Sequence, residues 1–142
     1  MKHRTPYELL LLLALALGLM LPACWQMMDP AGTSWTLVRF REAPLVSGTT
    51  ITAEFLPQPG PWMIEGSASC NSYQAIYERD GSEMRIVEIL VTEMYCEEPA
   101  GIMEQEQSYL ETLMDVTHYR IRVDQLEMFD AAGDPVLLYD PL

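Results

Sequence analysis

Acid–base chemistry is the first possibility to weigh in a chain with 21 acidic and 8 basic side chains. Glu106 is the carboxylate best placed for it. On a helix it falls inside an apolar arc, among Ile102, Met103, Leu110 and Leu113. A lone buried carboxylate is costly and must find partners. Asn71, the backbone N–H groups near Cys70, or an arginine could supply them. Such a group could act as a general acid in a cleft. We read it instead as a structural polar tie between a helix and the Cys70–Asn71 corner. Hydrolytic sets fare badly. Beyond His3 the chain has one histidine, His118, in the link between a helix and a strand. No serine sits in a GxSxG setting. One such histidine is too few for a zinc site, and the methionines are scattered as core residues are. No catalytic residue, metal or cofactor is expected.

The elements that would position these groups show mostly period-two patterns. Trp35 and Leu37 alternate with Thr36, Val38 and Phe40, a strand apolar on both faces. Ile51, Ala53 and Phe55 make a one-sided strand. Trp62–Ser69 is another, after the Pro57, Pro59, Gly60, Pro61 turn. Tyr73, Ala75 and Tyr77 share a face, and Asp80-Gly81 supplies the positive-φ positions of a hairpin turn. Met84 and Ile86 begin the return strand, and Ile89–Val91 continue it or follow a bulge. Tyr119, Ile121 and Val123 come later, then Leu126 and Met128, then Val136–Tyr139. Between Pro99 and Val116 the period changes. Ile102, Met103, Tyr109, Leu110, Leu113 and Met114 fall within an arc of about 140° at 100° per residue, which is one amphipathic helix. Seven or more short strands with one helix imply an α+β, β-rich fold. A strongly bent antiparallel sheet or cracked barrel, with the helix packed on it, is the economical arrangement.

The N-terminus carries an address. Lys2 and Arg4 precede an apolar run from Leu9 to Leu21. A bilayer core takes roughly 20 helical residues, so residues 1–23 read as an export signal rather than a span. Leu21-Pro22-Ala23-Cys24 resembles the bacterial lipobox, in which the cysteine sulfur takes a diacylglyceryl group and becomes residue one after cleavage. Lipidation at Cys24 would hold the chain to a membrane. Residues 24–31 then form a short tether, where Trp25, Met27 and Met28 would lie near the lipid. The protein is expected to be membrane-anchored and extracytoplasmic, facing the periplasm from the outer membrane in a Gram-negative cell. Cys70 and Cys96 remain. An even pair in an exported chain reads as a disulfide; two free thiols or a redox pair are the alternatives. Closing a loop of about 27 residues would contribute roughly 3.5 kcal/mol.

Charge narrows the partners. Beyond residue 23 the chain has six arginines and no lysine. So acidic a body argues against nucleic-acid binding, since phosphate contacts need Lys and Arg. An apolar fraction of 49% is too high for a disordered acidic tail. Arg39 and Arg41 share one side of their strand, and Arg120 and Arg122 one side of theirs. Were those strands neighbours, the four would make a basic patch; pairing with the abundant acids is the plainer expectation.

Gly32-Thr33-Ser34-Trp35, Gly66-Ser67-Ala68-Ser69-Cys70-Asn71-Ser72-Tyr73, Thr92-Glu93-Met94-Tyr95-Cys96 and Met103-Glu104-Gln105-Glu106-Gln107-Ser108-Tyr109-Leu110 follow in that order. With the closing Leu126–Tyr139 stretch they resemble the META domain, the HslJ-like family of bacterial envelope proteins, over residues 32–142. Ser69 stands where that family usually has Gly, and Tyr95 where it has a small residue. The resemblance implies a small β-rich fold with one helix, similar in outline to the cracked barrels of secretin-pilot lipoproteins. It implies links to heat shock, antibiotic tolerance and virulence, and no catalytic activity.

The resulting expectation is a non-enzymatic, monomeric envelope lipoprotein that binds an unidentified envelope protein, as a stress-linked interaction or quality-control module. One alternative is a small-molecule or lipid binder with an apolar cavity lined by Tyr73, Tyr77, Met84, Met103 and Leu110. Another is an acidic inhibitor of basic wall-degrading enzymes, by charge complementarity.

Overall fold

The computed structural model describes residues 28–41 and 44–142. The readings made on residues 1–23, Cys24, Trp25 and Met27 lie outside the described residues. Eight strands and one helix follow: β1 Ser34–Phe40, β2 Thr52–Phe55, β3 Met63–Ser67, β4 Ser72–Asp80, β5 Glu83–Val91, α1 Ile102–Met114, β6 His118–Arg122, β7 Gln125–Phe129 and β8 Pro135–Pro141. Each strand pairs antiparallel with its sequence neighbours, and β8 returns to β1, so the meander closes into a barrel.

The barrel is uneven, with its gap between β5 and β6. There only Glu83 and His118 stand in register, flanked by bonds from Met84 N–H to Thr117 O and Tyr119 N–H to Ser82 O. Above Met84, β5 has no strand on that side among the described residues. The helix takes the place. It leaves the top of β5 near Cys70, runs down beside β5, and delivers the chain to Thr117.

Alternation explains the core. Inward positions carry Leu37, Phe55, Ile64, Tyr73, Tyr77 and Leu126, all buried, and burying each such side chain stabilises by roughly 1.5–3 kcal/mol. Gly66 is needed where β3 crosses Thr52: a Cβ there would lie 2.0 Å from the Thr52 carbonyl oxygen.

Several sequence readings are corrected. β1 is not apolar on both faces. A bulge at Val38 shifts its register against β8, so Trp35, Leu37 and Phe40 all point inward and Val38 bulges out. An extra residue re-aims the side chains that follow it, which period-two counting misses. The β4–β5 loop is Gly81-Ser82, one residue later than expected, and only Gly81 has positive φ there. β5 does continue to Val91, past a register shift opposite Ile76/Tyr77 that leaves Val87 unmatched. Val123 lies in the β6–β7 turn and is exposed, not inward. The expected tether also shortens. Pro30 is buried, Asp29 bonds Arg79 at 2.9 Å, and Gly32 N–H donates to Phe55 O at 2.8 Å.

The helix turns a different face inward from the one its apolar arc predicts. Its buried residues are Ile102, Gln105, Glu106, Tyr109, Thr112 and Leu113. That face is rotated by about 70° from the apolar arc, at 100° per residue. Met103 and Leu110 end half-buried and Met114 exposed. The cause is the polar lining of the barrel mouth, which draws Gln105, Glu106 and Thr112 inward.

Candidate functional site

Glu106 is 5% exposed. Its Oε2 accepts bonds from the N–H of Cys70 (3.2 Å) and of Asn71 (2.7 Å), and its Oε1 accepts one from Asn71 Nδ2 (2.7 Å). A buried carboxylate with three donors is a satisfied one. Asn71 passes the connection outward. Its Nδ2 also donates to Met94 O at 2.9 Å, and its Oδ1 accepts from Met94 N–H and Thr92 Oγ1, each at 2.7 Å. The side chain thus pairs with the Met94 backbone as a neighbouring strand would. Two residues on, Cys96 is joined to Cys70 by a disulfide with the Cα atoms 5.9 Å apart. Gln105 adds a second tie. Its Nε2 donates to Thr49 Oγ1 (2.8 Å) and Ser69 Oγ (2.9 Å), and its Oε1 accepts from Val46 N–H (2.6 Å). Ser69 has φ of 103°, a left-handed conformation that suits glycine better. Its hydroxyl bond to Gln105 offsets part of that strain.

Beneath this corner three buried phenols stack hydroxyl to hydroxyl. Tyr73 and Tyr109 oxygens lie 2.7 Å apart, and those of Tyr109 and Tyr139 3.0 Å apart. Tyr73 donates to Thr52 O at 3.0 Å. Each hydroxyl has one proton, so Tyr109 donates to Tyr73 and Tyr139 to Tyr109. Burial raises the pKa of Tyr73, Tyr109 and Tyr139 well above the ordinary phenol value. These groups are inert proton holders at neutral pH.

The five residues expected to line one cavity separate. Tyr73, Tyr77 and Met84 are packed core side chains. Met103 and Leu110 floor a groove of about 360 Å³ on the outer side of α1, with Glu104, Gln107 and Glu111 around it. The arginine pairs separate as well, because β1 and β6 are not neighbours. Arg41 bonds Asp115 at 2.7 Å, and Arg120 and Arg122 both reach Glu127. The conditional basic patch does not form. His118 opens β6 and stacks on Phe129, ring centroids 4.8 Å apart.

The outside of the corner is the feature that sequence reasoning missed. Tyr95 is 78% exposed and Met94 and Leu90 are each 56% exposed, with Val91 beside them. Cys96 N–H approaches Met103 Sδ at 3.4 Å, which joins this surface to the helix groove. The available signal was a Met-Tyr pair set between Glu93 and Glu97-Glu98, where an inward strand would not carry so many acids. At the opposite end of the barrel, Arg79 lies over the Trp62 ring at 4.5 Å and bonds Tyr119 Oη at 2.8 Å and Asp29 at 2.9 Å. Nearby, the Tyr77 hydroxyl is buried without a partner among the described residues. Burial pushes its pKa up to about 12, against the pull of the Arg79 charge.

Among the described residues no group of three or more His, Cys, Asp or Glu could hold a metal ion. No described helix is long and apolar enough to cross a membrane. An eight-stranded antiparallel barrel with one gap and a helix across it, braced by a disulfide, defines the class of protein. The family model of the META domain matches residues 27–141, and the chain belongs to that family. The match begins five residues before residue 32, in keeping with the folded Asp29 and Pro30. A protein from Burkholderia xenovorans, solved by NMR, is similar over 80% of this chain and 83% of its own, at 25% identity and a TM-score of 0.62. A second NMR structure is similar over 80% of this chain and 95% of its own, at 21% identity and a TM-score of 0.57, which speaks to the fold alone. Curated proteins gave no match.

Proposed function

We propose that this chain is a non-enzymatic, lipid-anchored protein-interaction module of the bacterial cell envelope, acting in stress-linked assembly or quality control. The observation that carries the reading is the corner itself. A buried carboxylate, a bridging amide and a disulfide converge on the Met94–Cys96 segment, and that segment turns its large apolar side chains to solvent. A braced backbone beneath exposed side chains has little main-chain freedom left to lose on binding, which favours recognition of another surface. At this corner Glu106, Gln105 and Asn71 are taken up in structural bonds, which supports a structural over an acid–base role for them. The small-molecule reading loses support, because three of its five lining residues fill the core.

The test places a photo-crosslinking amino acid at Tyr95 in the full chain, in cells, with Val38 on the opposite wall as control. One dominant protein adduct from position 95 and none from position 38 is expected. The same scatter of neighbours from both positions would refute the reading. Intact mass of the exported protein tests the anchor: loss of residues 1–23 and added acyl mass at Cys24 are expected, and an uncleaved chain removes it.

A further inference from the structure

We propose that the clamped corner binds a cationic segment of its partner, one that carries Lys or Arg around one or two bulky apolar side chains. This rests on the protein-interaction reading and deepens it by naming the chemistry of the occupant. The apolar part of the surface is Met94 and Tyr95, continued by Met103 across its contact with Cys96; Leu90 and Val91, exposed on opposite faces at the end of β5, lead into it. Its charge is one-signed. From Ile86 to Thr117 the chain has eight Asp or Glu and no Lys or Arg. Glu93, Glu97 and Glu98 flank Met94 and Tyr95 and are exposed, and Glu104 and Glu111 edge the helix groove. Arg41 pairs with Asp115 at the far end of α1, while Arg85 pairs with Glu78 and Arg120 with Glu127, each at 2.6 Å.

An apolar centre with an acidic rim selects by complementarity. A neutral apolar partner leaves the rim unmatched, and an acidic one is repelled. A basic, apolar-tipped segment satisfies both parts. The contact lies outside the barrel, so it needs no opening of the core. Its rigid frame, the disulfide and the Asn71–Met94 bonds, is already in place before binding.

The probe is a short fluorescent peptide alternating Lys with Leu and Trp, compared with a twin in which every Lys is Gln. Both are titrated with the full chain in neutral detergent, with detergent alone as the blank. The Lys peptide should bind at least about tenfold more tightly than its twin, and should weaken about tenfold from 50 to 300 mM salt as screening shortens. Joint Glu93→Gln, Glu97→Gln and Glu98→Gln should weaken it about tenfold, and so should joint Met94→Ser and Tyr95→Ser. These residues are exposed and bear little of the fold. Joint Glu54→Gln, Glu65→Gln and Asp140→Asn removes the same charge from another wall and should leave binding within about twofold. Equal losses from both charge triples would overturn the proposal in favour of attraction to net charge. Equal binding by the Gln twin would overturn the cationic assignment and leave the interaction reading standing. Should neither peptide bind, the proposal falls; an adduct at position 95 would then preserve the interaction reading, and no adduct would end both.

Discussion

The two ends of this barrel handle polar groups in opposite ways. At the disulfide end the interior is polar and bonded throughout: Glu106 has three donors, Gln105 three partners, and Asn71 reaches both inward and outward. The exterior there has an apolar centre, Met94 and Tyr95, with exposed acids around it. At the β4–β5 hairpin end the interior holds a phenol whose hydroxyl has no partner among the described residues, while the outer surface carries Arg79 on Trp62, tied to Tyr119 and Asp29. Multiple directional bonds fix one geometry, whereas a single unpaired hydroxyl fixes none. The contrast locates where shape is held most tightly, and it is held beneath the exposed side chains of Met94 and Tyr95.

Removing the anchor of the polar end should have the largest effect. Glu106→Ala leaves two backbone N–H groups and one of the two Asn71 amide hydrogens without acceptors, and should cost on the order of 4 kcal/mol in urea unfolding. Glu106→Gln keeps two oxygen contacts and should cost about half of that. A loss below about 1 kcal/mol for the Ala variant would mean water replaces the carboxylate, and the contrast between the ends would fail.

Alkaline pH sharpens the comparison. Unfolded phenols lose their protons near pH 10, while the buried ones hold theirs to higher values. Their folded pKa values are raised, so the stability they contribute is complete below pH 10 and is lost as pH rises through the folded values, with Tyr77 near 12. Each group then removes about 1.4 kcal/mol per pH unit. Urea midpoints of the wild type at pH 8, 10 and 11 should fall accordingly. Tyr109→Phe should start about 1–2 kcal/mol lower, having broken the hydroxyl column, and then decline less steeply by one group's share. Parallel declines would show that Tyr109 titrates normally.

The smallest effect belongs to the other end. Tyr77→Phe removes a hydroxyl with no partner among the described residues, so stability should hold or rise by up to about 1 kcal/mol. A loss comparable to that of Tyr109→Phe would show that the Tyr77 hydroxyl has a partner after all.

Much of the architecture was legible in the sequence because one-sided strands must alternate. Ile51, Ala53 and Phe55, or Tyr73, Ala75 and Tyr77, announce their inward face without knowledge of the neighbours. Bulges are not legible in that way. Val38 is apolar like Leu37, and only the pairing with β8 reveals that it is the extra residue. The helix face was misjudged for a related reason. Its polar inward residues are explained by Thr49, Ser69 and the Val46 amide, which lie 36 to 59 positions away in the chain. The need of Glu106 for partners at the Cys70–Asn71 corner could be argued beforehand, since a buried charge narrows the options to nearby donors. The outward turn of Met94 and Tyr95 could not, because large apolar residues are by default placed inside.

The Asp29–Arg79 bond sets the posture of the molecule. It ties the chain's entry point to the hairpin end, and Asn71 lies eight residues back along β4, about 26 Å away. A lipid on Cys24, as proposed, would be at most about 18 Å of chain from Asp29. Given that anchor, the barrel would stand with its hairpin foot toward the bilayer and would hold Tyr95 aloft, like a lamp on a post, on the side away from the lipid.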